Sequence, residues 1–65
     1  MQFYEDFICF RALNKVTLRE VWRKADVSLA TIVKFEKGEH VTKRTESKLR
    51  KFMEEYNAEK NMAKN

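Results

Sequence analysis

The sequence predicts an all-α domain, a small helix-turn-helix of four to five helices. Three observations lead there. The 65 residues include no Pro and a single Gly, so little interrupts a helix. Phe3, Phe7 and Phe10 recur at the spacing of one helical face. Thr17 and Ser28 each stand just before an apolar periodic run, where a helix needs an N-cap. A chain of this length is one domain, close to the smallest size at which a core supports itself. It is read as a single unit over 1–65, with its core over about 2–57.

The first helix carries the Phe3, Phe7, Phe10 stripe, which Leu13 extends or flanks. Tyr4, Ile8 and Cys9 widen that apolar face and are read as additional core. Cys9 has no second cysteine to bond and is read as a small buried hydrophobe. Asn14-Lys15 ends the helix, and Val16 points inward. "TLRE", Thr17 to Glu20, is a capping box: the hydroxyl accepts from the Glu20 amide, and the carboxylate returns to the Thr17 amide. A second helix therefore starts at Leu18, with Leu18, Val21 and Trp22 on its apolar side. It stops near Ala25-Asp26, where Asp tolerates the left-handed backbone of a tight turn. Ser28 caps a third helix that runs to about Lys37 and ends at Gly38. Residues 39–44 read as a polar loop plugged by Val41. A fourth helix starts at Thr45 or Glu46, with Leu49, Phe52, Met53 and Tyr56 on one face. Beyond Asn57 the sequence is polar, and the tail 58–65 is expected to fray.

The composition argues against several classes of function. One His, one Cys and no Gly-rich phosphate loop leave no catalytic, metal or cofactor constellation, so no enzyme and no small-molecule substrate are expected. No apolar run approaches a membrane span. Glu5 and Asp6 stand where a signal peptide carries bases, so no export signal is read. A lone Cys suits a reducing compartment, and the expected location is the cytoplasm. The net charge of +4 is unevenly spread. Residues 11–51 hold twelve Lys or Arg against five Asp or Glu, a concentration suited to a nucleic-acid surface.

Two short helices joined by a tight turn form a helix-turn-helix. Thr17, Val21, Ala25, Val27, Ser28, Ile32, Phe35, Glu36 and Gly38 stand in the register of one such pattern. With Phe3, Phe7, Phe10, Arg11 and Val16 before it and Leu49 and Phe52 after it, the chain resembles the XRE-type family of bacterial and phage Cro and repressor proteins. Three positions depart from that pattern: Leu18 in place of Gln, Trp22 in place of a small Ala, and Asp26 in place of Gly. The resemblance implies a sequence-specific, double-stranded DNA-binding transcriptional regulator. It also implies a structural ion pair between Arg11 and Glu36.

On a helical wheel, Ser28, Ile32 and Phe35 share one side of the third helix, and Ala30, Val33, Lys34 and Lys37 the other, with Leu29 at the flank. In a major groove, Leu29, Ala30 and Val33 could touch thymine methyl groups, and Lys34 could donate to guanine. Thr17, Arg19, Ser28, Lys37, His40, Lys43 and Arg44 are the expected phosphate contacts. A reader this poor in base donors suggests a homodimer on DNA, joined through Ile8 and Tyr4 or through the 49–62 segment. The alternative is a helix-turn-helix that docks a partner protein through Leu29, Ala30 and Val33, as an antirepressor or antitoxin-like module.

Overall fold

In the computed structural model, residues 2–63 are described, and they form α1 (Phe3–Asn14), α2 (Leu18–Ala25), α3 (Leu29–Glu36) and α4 (Lys43–Ala63). The all-α class follows, with no strand among the described residues. Each helix stops for a local reason. At the end of α1, Lys15 turns left-handed (φ 55°), and the amides of Lys15 and Val16 donate to the carbonyls of Ala12 and Arg11. That is a Schellman stop, completed by the burial of Val16. At the end of α2, Asp26 turns left-handed (φ 58°), and its amide donates to Trp22. At the end of α3, Gly38 (φ 82°) and Glu39 close a second Schellman motif on Phe35 and Lys34.

Thr17 and Ser28 cap α2 and α3, accepting from the amides of Glu20 (3.1 Å) and Thr31 (3.2 Å). Only half of the expected capping box forms. The half-buried Glu20 carboxylate lies 3.5 Å from Lys24 Nζ instead of returning to Thr17, since a cation one turn on offers it a comparable partner. The fourth helix begins earlier than Thr45: Thr42 caps it, accepting from the Thr45 amide at 3.2 Å. Lys43 and Arg44 are therefore its first residues rather than loop. It also runs past Asn57 as far as Ala63, with Lys60 Nζ donating to Asn14 Oδ1 at 2.6 Å. The expected fraying is corrected over 58–63, and its last two positions lie outside the described residues.

The core is one cluster: Phe7, Phe10, Val16, Val21, Ala25, Val27, Ile32, Phe35, Leu49 and Phe52. Phe3, Tyr4, Val41, Met53 and Tyr56 pack on its margin, so Val41 plugs the loop as expected. Phe7 contacts Phe3, Phe10 and Phe35 edge-on or tilted, and Phe10 meets Phe52 and Tyr56 at 6.0 and 5.3 Å. One aromatic network thus ties α1 to both α3 and α4. One expectation for the apolar face is corrected: Cys9, read as buried, is exposed. Of the two alternatives for Leu13, the structure shows the flanking one, with 81% of its surface in solvent. Both lie well around α1 from the phenylalanines. Trp22 is 43% exposed; the wheel puts it beside the buried Val21–Ala25 edge, at the margin of the packed side.

Candidate nucleic-acid interface

The α2–turn–α3 unit holds α3 by both ends and by its inner face. Ile32 and Phe35 are buried, with Ser28 capping one end and the Gly38 motif closing the other. Glu36 fixes the rotation of α3 about its axis. Its carboxylate accepts from Arg11 Nε at 2.7 Å and from Arg11 Nη2 at 2.8 Å, a bidentate pair. The remaining terminal nitrogen of Arg11 donates to the Val16 carbonyl at 3.0 Å. One guanidinium thereby joins α1, the α1–α2 turn and α3. The hydrogen bond to Glu36 raises the Arg11 pKa, with the attraction of the carboxylate adding to it and burial opposing it.

With the inner face locked, the outer face is determined. Leu29 and Val33 are 42% and 37% exposed, and Ala30, Lys34 and Lys37 are exposed beside them. None of these five side chains makes a hydrogen bond or ion pair among the described residues. Apolar Leu29 and Val33 occupy the edge nearest Glu36, and Lys34 the edge nearest the start of α4.

The residues expected at phosphate fall into two groups. Thr17 and Arg19 line one hollow on α2, together with Glu20, Arg23 and Lys24. On the other side, Lys34 and His40 share a hollow with Thr31, Thr42 and Thr45. Lys43 and His40 line a neighbouring one, which Glu39 and Glu46 share. Ser28, Lys37 and Arg44 are exposed but line neither group's hollows. The hydroxyls of Thr17 and Ser28 already accept from helix amides. Thr17 keeps a proton to donate, whereas Ser28 shares its hydroxyl with Thr31 at 2.7 Å.

Among the described residues, four of the basic residues are paired with carboxylates, and none of those four is a base or phosphate candidate. Arg11, Lys24, Lys48 and Arg50 each have a carboxylate within 4.0 Å. Among the described residues, Arg19, Lys34, Lys37, Lys43 and Arg44 have none. Lys43 and Arg44 also sit in the first turn of a 21-residue helix, where the backbone dipole already presents positive charge. Cations there repel the dipole when no anion is bound, and the two act together on one when it is.

Sequence reasoning missed Thr42, Thr31 and Thr45, which shape the hollow beside Lys34. The Thr42-x-x-Thr45 spacing was the available signal, since a hydroxyl three residues before an amide is cap geometry. No group of His, Cys, Asp or Glu among the described residues is placed to hold a metal ion. No described helix is long and apolar enough to cross a membrane. No family model, curated protein or solved structure matches the chain.

Proposed function

We propose that this protein is a sequence-specific, double-stranded DNA-binding regulator of transcription that lays α3 in the major groove. One observation carries the reading. A rotationally fixed helix presents a face with no structural duty, flanked by Arg19 on one side and by Lys43 and Arg44 on the other, which have no ion-pair carboxylate among the described residues. Leu29, Ala30 and Val33 meet thymine methyl groups, and Lys34 donates to guanine. Arg19 with Thr17 holds one phosphate strand, and His40, Lys43 and Arg44 hold the other, with Lys37 and Ser28 contributing at the rim. Leu18 has no side-chain amide to offer phosphate, so the weight of affinity falls on these cations and on DNA shape. The chemistry is binding, without catalysis or cofactor, and the place of action is the cytoplasm. The XRE-type resemblance supports the same reading.

Selection from a randomised duplex pool at two salt concentrations tests it. A recurrent motif, bound with a steep loss of affinity on adding salt, is the expected result. Salt-tolerant binding to a protein with no preference among duplexes is the alternative outcome; the apolar Leu29–Val33 edge is the feature that favours it.

A further inference from the structure

The exposed arc of α3 carries no side-chain hydrogen-bond acceptor that is free to read a base. Leu29, Val33, Lys37, Ala30 and Lys34 follow one another around about 140° of the helix, at about 100° per residue. Leu29, Ala30 and Val33 have no polar side-chain atom, and the two lysines only donate. The hydroxyls bordering the arc, those of Ser28 and Thr31, are bonded to each other at 2.7 Å, and the Ser28 oxygen also accepts from the Thr31 amide. Glu36, at the Leu29–Val33 edge, has both carboxylate oxygens on Arg11.

In a major groove, this chemistry limits what the arc can tell apart. Cytosine and adenine present amino donors, which the arc has nothing to accept with. Guanine presents two acceptors, which a lysine satisfies. Thymine presents its C5-methyl group, and Leu29 and Val33, 42% and 37% exposed and one helical turn apart, have apolar surface left to bury against it. That row meets the methyl group with hydrocarbon and makes no bond to the rest of the base edge. 5-Methylcytosine carries a methyl group on the same ring carbon as thymine.

We propose that α3 recognises pyrimidines by the C5-methyl group, so that 5-methylcytosine is accepted where thymine is, and unmethylated cytosine is not. The ligand class is then duplex DNA bearing C5-methylated pyrimidines, and binding to a site that contains cytosine responds to its methylation. This inference rests on the DNA-binding reading. Burying one methyl group is worth about three- to fourfold in affinity.

The test uses the duplex recovered from the randomised pool, with thymine at each position of the motif replaced in turn by deoxyuridine, which lacks only the methyl group. At one or more positions affinity is expected to fall about three- to fourfold. At such a position a cytosine–guanine pair binds weakly, and a 5-methylcytosine–guanine pair regains about the same factor over it. Val33→Ser or Leu29→Ser, each at an exposed position, weakens binding to the thymine duplex and leaves binding to the deoxyuridine duplex unchanged. That cycle separates contact with the methyl group from any effect of the methyl group on DNA shape. Circular dichroism of both variants keeps misfolding out of the comparison. A motif bound equally well with deoxyuridine throughout, no gain from 5-methylcytosine over cytosine, or an unchanged thymine preference in both variants overturns this inference and leaves DNA binding standing. A pool that yields no motif removes sequence-specific DNA binding, and this inference with it.

Discussion

Arg11 and Glu36 show what one side chain can decide. Glu36 lies on α3 and keeps 14% of its side chain in solvent, while Glu39, three residues on, is exposed with no partner among the described residues. Glu36→Ala strands the Arg11 guanidinium and is expected to cost about 2–4 kcal/mol, near the lower part of the range for breaking a buried pair. Glu39→Ala is expected to fall within about 0.5 kcal/mol of the parent. Equal urea midpoints for the two variants would refute a structural role for the pair. Gly38 gives a second residue-scale test. A Cβ there meets the Tyr4 ring at 3.1 Å on a backbone already at φ 82°. Gly38→Ala is expected to destabilise by about 1–2 kcal/mol from the left-handed backbone alone, with more from the ring. Tyr4→Ala combined with Gly38→Ala relieves only the second part, so a double-mutant cycle separates the two. Sequence spacing does not reveal the Arg11–Glu36 contact, which spans 25 residues; the family resemblance implied it. Cys9 is the opposite case. Its place on the wheel was readable, but the general habit of cysteine to be buried was given more weight than the helix geometry.

At the scale of elements, the boundaries of α1, α2 and α3 were legible because capping residues and left-handed stops are local signals. The start of α4 was not, because Val41-Thr42 follows a run of polar residues and Lys43 and Arg44 are uncommon in a first turn. Thr42→Ala is expected to cost about 1 kcal/mol and to fray α4 back toward Glu46, which amide exchange would report. The end of α4 was missed for a related reason. Its last turns carry little apolar pattern, and a tertiary bond from Lys60 to Asn14 accompanies them. The placement of Lys34 on α3 and Lys43 on α4 also separates their expected roles in DNA binding. Lys34→Ala should relax preference at one base pair, at a cost of about 1–3 kcal/mol, when profiled on the duplex pool. Lys43→Ala should weaken every duplex alike and lower the salt slope by about one. A Lys43 variant that altered preference instead would contradict that division.

For the whole molecule, the aromatic network makes the fold nearly indivisible. Phe7 is fully buried and touches three other rings, so losing it loosens α1 from α3 and removes the neighbour of Phe10, whose ring joins α1 to α4. Phe7→Ala removes about 3–5 kcal/mol, comparable to the entire stability that a core of this size supplies. A flat thermal melt and rapid proteolysis are expected, and a cooperative transition in that variant would show that the core is less centralised than its packing implies. The fold class was legible from hydrophobic period and breakers. The uneven charge was legible as a number but not as a surface. Only the fold shows that Lys24 and Lys48 lie beside carboxylates while Arg19, Lys34 and Lys43 have none among the described residues.

The outer face of α3 carries a consequence for the history of such a molecule. Among the described residues, the side chains of Leu29, Ala30, Val33, Lys34 and Lys37 make no cap hydrogen bond and no ion pair, and none is buried. Exchanges at most of them should leave stability within about 0.5 kcal/mol. Selection can therefore explore recognition at those positions without first escaping a folding penalty. A lineage can drift from one target to another through intermediates that are all folded, and a laboratory library randomised there should consist largely of intact proteins. Mutability is concentrated where binding is proposed, and fragility is concentrated in the phenylalanine network, three residues of which share a helix with the guanidinium that fixes α3.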